Sequence, residues 1–164
     1  MVGTTYNVPP VPPDETSTDW FDFAPLQVGI EYRRVDPAAL ADVYGDNAEH
    51  MAEIDEHSPE GGFSDEGISV HIVADGHEYL RFDAFVDDPH YHYIDKQAGT
   101  NTIVEFDKAA HGPVKVWVLD QLRDRLPEML SHAGASELAG SLRSEIGTEI
   151  AEQVERHLQA IGEL

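Results

Sequence analysis

Residues 68–86 read ISVHIVADGHEYLRFDAFV. Apolar residues alternate with polar ones on both sides of Asp75-Gly76, the pattern of two half-buried strands joined by a tight turn. The alternation also sets the register. A two-residue turn at Asp75-Gly76 pairs Ala74 with His77. Carried along both strands, that pairing sets Val70 opposite Arg81 and mixes the two faces. A three-residue loop over 75–77 instead sets Ile72 opposite Leu80, Val70 opposite Phe82 and Ile68 opposite Ala84. A one-residue slip turns every side chain over, so the consistent register is the expectation. It leaves one apolar face and one face carrying Ser69, His71, Tyr79, Arg81, Asp83 and Phe85. This second face is either a solvated ion-pair surface or a covered polar pocket, and the sequence leaves both open.

Three more strands flank the hairpin. LQVGIEYRRV (26–35) is rich in β-branched and aromatic residues, and PHYHYI (89–94) and TIVEFD (102–107) follow at short spacing. Short connections favour antiparallel neighbours. Asp36-Pro37 opens a helix, with Asp36 as N-cap, that reaches about His57. From Pro113 onward apolar residues recur at helical spacing, interrupted at Pro127, and a last helix runs from Ser136 nearly to Leu164. The expected fold class is α+β: an antiparallel meander of four or five strands, helices packed on the sheet, and a long C-terminal helix. Residues 1–25 hold five prolines and read as an extended arm, with residues 26–164 as a single domain. Trp20, Phe21 and Phe23 are too apolar to float free, so they staple the arm to the domain or to a neighbouring subunit.

The 164 residues include 32 acidic and 10 basic side chains, a formal net charge of −22. The carboxylates are dispersed and only three basic residues are lysine, a composition that suits a salt-loving cytosol, where short-range screening tames self-repulsion. Nucleic acid is a poor partner for such a surface. The absence of cysteine removes disulfides, thiolate metal sites and a thiol nucleophile. No phosphate-cradling glycine loop or dinucleotide fingerprint occurs. No leader-like or membrane-length apolar run is seen, so the expected location is cytoplasmic and no membrane partner is expected.

Two histidines, His90 and His92, stand at i and i+2 in DDPHYHYID and point the same way in a strand. They are candidate metal ligands, with Asp83 or His71 (or Glu105 or Asp107) supplying a third from a neighbouring strand. Imidazole plus carboxylate suits Zn, Mn, Fe or Ni and leaves positions open for a small molecule. Asp83 would be a ligand or base, and Arg81 an anchor for an anionic substrate. Which sheet face the two histidines occupy depends on the turn near Asp88-Pro89 and stays open. His50, Glu53 and His57 also share a helix face, in a segment acidic enough to be a solvated surface.

The stretch EYLRFDAFVDDPHYHYI (78–94), followed by LRDRLPEML (122–130), resembles the core of an uncharacterised prokaryotic domain family. The resemblance covers roughly residues 65–140 and implies no activity and no site. Two functions are therefore expected as alternatives. One is a small metal-binding protein, as an enzyme on a small molecule. The other is a non-catalytic homodimeric interaction module. The dimer would form through the last helix, whose stripe is Leu138, Leu142, Ile146, Ile150, Val154, Leu158 and Ile161.

Screening of so many like charges should stabilise the fold. Thermal melting temperature is expected to rise from dilute buffer to molar KCl; an equal or higher value in dilute buffer contradicts the solvent-adaptation reading.

Overall fold

The computed structural model describes residues 2–164. Its strands are β1 (Thr4–Tyr6), β2 (Asp19–Phe23), β3 (Leu26–Val35), β4 (Asp65–Ala74), β5 (His77–Phe85), β6 (His90–Asp95) and β7 (Thr100–Glu105). Helices α1 (Pro37–Tyr44) and α2 (Ala48–His57) lie between β3 and β4. After β7 come α3 (Lys108–His111), α4 (Val114–Asp124), α5 (Leu126–His132), α6 (Ser136–Ser141) and α7 (Ile146–Ala160). The strands form one antiparallel sheet in the order β1-β7-β6-β5-β4-β3-β2.

The class is α+β as expected, but the sheet has seven strands, not four or five. Both unexpected strands come from the arm. β1 pairs with β7 at one edge, and β2 pairs with β3 at the other. Between them, residues 7–18 cross from edge to edge. Prolines conceal these strands in the sequence, because each strand is short and is held by its neighbour's ladder, not by an alternating pattern of its own. Phe21 and Phe23 pack against the core, so the aromatic staple closes on the chain's own domain.

The hairpin reaches its expected register by a different route. Asp75 and Gly76 form a two-residue turn, both with positive φ (49° and 73°), and Ala74 pairs with His77. A bulge then takes up one residue between Glu78 and Leu80, after which Ile72 faces Leu80, Val70 faces Phe82 and His71 faces Arg81. The bulge moves Tyr79 to the apolar core and gives its place on the polar face to Glu78.

The apolar face carries Leu26, Val28, Ile30, Ile68, Val70, Ile72, Leu80 and Phe82, and α4, α5 and α7 cover it with Leu119, Leu122, Leu130, Ile150 and Val154. The helix expected over 36–57 divides at Gly45, and Asn47 re-caps the second half by accepting the His50 N–H (3.0 Å). The expected long last helix divides into α6 and α7, with Leu142 in extended conformation between them. The spacing explains the break. A four-residue step turns about 40° past a full helical turn, so from Leu138 to Leu158 the stripe would wind roughly 200° around one straight helix. Breaking the helix returns both halves to the hydrophobic core, α6 beside α5 and α7 beside α4. Ile146, Ile150, Val154 and Leu158 are then buried against the chain's own core, whereas Ile161 at the end of the expected dimer stripe stays exposed.

Gly147 marks the closest approach of α7 to α4: a Cβ there would lie 2.5 Å from the Leu122 carbonyl oxygen and 2.9 Å from that of Arg123. Backbone cannot yield as a side chain does. Gly147→Ala is expected to destabilise the protein by about 1–3 kcal/mol in urea denaturation, whereas Gly140→Ala, with open space around it, should be neutral or slightly stabilising.

Candidate metal centre

Register lays out the polar face. Glu31, Ser69, Asp83, His90 and Glu105 stand directly opposite one another across β3 to β7. The adjacent row is Gly29, His71, Arg81, His92 and Ile103. The pairing of Asp83 with His90 resolves the open parity: both histidines lie on the Asp83 face. Residues 86–89 make that connection, and the Asp65 carboxylate clamps it by accepting the N–H groups of Asp87 (3.1 Å) and Asp88 (2.7 Å).

His90 and His92 bring their Nε2 atoms to 3.1 and 3.0 Å from one oxygen, Oδ2 of Asp83. Ser69 Oγ donates a short hydrogen bond to the other oxygen. On the far side of each ring, Nδ1 meets an oxygen: the Asp88 carbonyl for His90 and Asn101 Oδ1 for His92, both at 2.8 Å. These oxygens only accept, so each Nδ1 donates. A neutral imidazole has one N–H, and both rings have spent theirs. Their Nε2 lone pairs therefore converge on a carboxylate oxygen, an arrangement that calls for a cation or an added proton where they meet.

The electrostatics agree. Burial works against the Asp83 carboxylate, but the two rings outweigh it and hold the group well below the usual carboxylate range. Burial also works against protonated His90, yet the hydrogen bond to Asp83 raises it overall. For His92 burial wins, and the ring is lowered. A proton on His90 and a divalent ion are thus alternative occupants of one point. Donor spacing suits the ion: two donors held tetrahedrally at about 2.0–2.1 Å lie roughly 3.3 Å apart. The three donor atoms here lie within 4.8 Å of one another. Binding through Nε2 with Nδ1 tied to a carbonyl oxygen is also how histidine ligands are usually oriented.

A second cluster lies beside the first. His71 sits between two carboxylates, with Nε2 at 2.8 Å from Glu31 and Nδ1 in short contact with Glu78. Arg33 pairs with Glu31 at 3.3 Å. Arg81 donates to both oxygens of Glu78, at 3.1 and 2.6 Å. Both arginines also donate to the carbonyl of Val11. The arm supplies further acceptors: the Val8 carbonyl takes Asn101 Nδ2 (3.3 Å), Pro9 takes the Tyr44 hydroxyl, and Pro12 takes Arg33.

The structure thus brings Asp83, His90 and His92 together and keeps His71 in the neighbouring cluster. Arg81 lies under the arm. Glu105 faces the pocket, and Asp107 caps α3. The helix histidines His50 and His57 stand against the rings of Tyr44 and Tyr6, and Glu53 accepts the Asn7 N–H. Three participants were not legible beforehand. The bulge hides Glu78, Asn101 reads as a loop residue, and the arm's hydrogen bonds to these two clusters run through its backbone carbonyls. A pocket of about 240 Å³ opens over the triad, walled by Val8 to Val11, Leu40 and Tyr44 of α1, Ile54 of α2, Phe63 and Phe85. The polar face is therefore a covered pocket, not a solvated surface.

The chain belongs to a domain family of unknown function, DUF7700, whose profile matches residues 20–158, from β2 to the last turns of α7. The matched span contains the triad and leaves the proline arm outside. No curated protein and no solved structure gives a significant match. Among the described residues, no helix is long and apolar enough to cross a membrane.

Glu78 provides a test of the second cluster. Burial pushes its carboxyl up, but Arg81 and His71 outweigh burial and bring it from 4.5 down to about 2. A lowered folded value means stability that is complete above the unfolded value and lost as pH falls from about 4.5 toward 2, on the order of 3 kcal/mol. Urea denaturation should show wild type losing its advantage over Glu78→Gln across that window. Parallel pH profiles would contradict the assignment.

Proposed function

We propose that this chain is a metal-binding protein in which His90, His92 and Asp83 hold one divalent transition metal, Zn, Mn, Fe or Ni, at the floor of the arm-covered pocket. The observation that carries this reading is the fate of the two Nδ1 atoms. Both are committed to carbonyl oxygens, so both Nε2 lone pairs point at one carboxylate oxygen. Two histidines and one carboxylate leave coordination positions free, and those positions face the pocket.

The pocket walls suggest the occupant. They are mostly apolar (Val8, Pro9, Leu40, Tyr44, Ile54, Phe63), and the volume is below that of a typical ligand site. We read the ligand as a small molecule with an apolar body and one donor group that reaches the ion, where a bound metal would polarise it. In this reading Asp83 is a ligand. Arg81 secures the arm, because its hydrogen bonds already go to Glu78 and Val11.

Tag-free protein is expected to take up one equivalent of Zn, Mn, Fe or Ni in a saturable titration. His90→Ala with His92→Ala should abolish stoichiometric uptake while circular dichroism stays native, and the size-conserving Asp83→Asn should weaken it strongly. No saturable uptake of any of the four by wild type ends the metal reading.

A further inference from the structure

Asn101 links the N-terminal arm to the candidate metal centre by hydrogen bonds. Val8 is buried, and its carbonyl oxygen accepts a hydrogen bond from Asn101 Nδ2 at 3.3 Å. Asn101 is buried as well (5 % exposed), and its Oδ1 lies 2.8 Å from Nδ1 of His92. His92 Nε2 in turn lies 3.0 Å from Asp83 Oδ2. The two ends of a carboxamide are chemically different, and a main-chain carbonyl can only accept. The amide must therefore turn its NH₂ toward Val8, which turns its oxygen toward His92. An oxygen there requires the ring hydrogen on Nδ1 and leaves Nε2 as the free lone pair, the only ring atom aimed at Asp83.

We infer that Asn101 is a positioning residue that lets the docked arm choose the metal-binding tautomer of His92. The inference rests on the metal reading above and adds a regulatory link to it. With the arm in place, Asn101 is locked and His92 presents Nε2. Without the Val8 carbonyl, the amide is free to turn by half a rotation and donate to Nδ1, which places the ring hydrogen on Nε2 and blocks coordination. Coupling of this kind is reciprocal, so an ion on Nε2 also favours the docked arm. Nothing comparable supports His90, whose Nδ1 partner is the carbonyl of its near neighbour Asp88.

Two variants of the full chain separate positioning from bulk structure. Asn101→Leu keeps the side-chain size but can neither accept from His92 nor donate to Val8. Asn101→Asp still accepts from Nδ1, but it loses the donation to Val8 and sets a carboxylate oxygen against that carbonyl. Co²⁺ titration followed by visible absorbance should show Asn101→Leu about 10- to 100-fold weaker than wild type, the usual loss when a ligand's outer partner is removed. Asn101→Asp should bind at least as tightly as wild type, even where both variants melt at the same lowered temperature. Long-range proton–nitrogen spectra of metal-free protein supply the second readout: the His92 hydrogen on Nδ1 in wild type and Asn101→Asp, and on Nε2 in Asn101→Leu. Equal Co²⁺ affinity for wild type and Asn101→Leu, or equal losses in both variants, overturns the inference. If wild type takes up no Co²⁺, the metal reading fails by itself. The positioning role is then judged on the spectra, where an unchanged His92 tautomer in Asn101→Leu overturns it.

Discussion

Arg81 donates to both oxygens of Glu78 and, through the same guanidinium, to the carbonyl of Val11, while only 3 % of the residue is exposed. Glu78 takes most of that guanidinium, but the N–H aimed at Val11 would lose its acceptor without the arm, at a cost of about 1–3 kcal/mol while it stays buried. The arm is chemically suited to the task. Residues 8–13 read VPPVPP, and four of the six have no N–H. Such a segment offers six acceptors and two donors. It can lie over arginines, a tyrosine hydroxyl and an asparagine amide and satisfy them all while adding few donors of its own that need partners. An ordinary segment would bury three times as many N–H groups against a surface already rich in donors.

The two faces of the sheet are consequently held by different physics. The helix face is apolar, and its stability scales with buried area and tolerates exchange among residues of similar volume. The arm face carries the buried polar groups, and among the described residues every buried side-chain nitrogen and oxygen has a partner. Burying charge in that way adds little net stability, but removing one partner strands another, so the geometry is sharply specified. The triad occupies the second kind of surface, on β5 and β6 in the middle of a seven-strand sheet. Ligands on central strands move little, and Asp65 fixes the loop between them. The same cross-strand rows that set Asp83 beside His90 also carry the glutamate–histidine–arginine cluster, so the candidate centre and the arm's anchorage share a single register.

Local pattern determined much of this protein in advance. β-Branched and aromatic composition placed β3 at residues 26–35, and alternation in the hairpin set Ile72 opposite Leu80, because a half-buried strand must keep its apolar side chains on one face. Asp36-Pro37 announced α1, because a side-chain acceptor and a residue without N–H suit a helix start. The spacing of His90 and His92 named two of the three members of the triad, and Asp83 stood among four side chains that could supply the third. What the tertiary structure alone decided lies in contacts between distant segments. The bulge that exchanges Tyr79 for Glu78 lies in the β4–β5 ladder, where Ile72 pairs with Leu80 and Val73 with Glu78. The parity that brings both histidines to Asp83 depends on a loop held by Asp65. The break between α6 and α7 answers to the shape of the sheet, and the edge strands of the arm exist only where β3 and β7 offer ladders. Asn101 gains its role from Val8, 93 residues away, through a backbone atom that every residue type shares. A carbonyl oxygen leaves no mark in an amino-acid sequence, and for that reason the arm's part in the site became visible only in the folded chain.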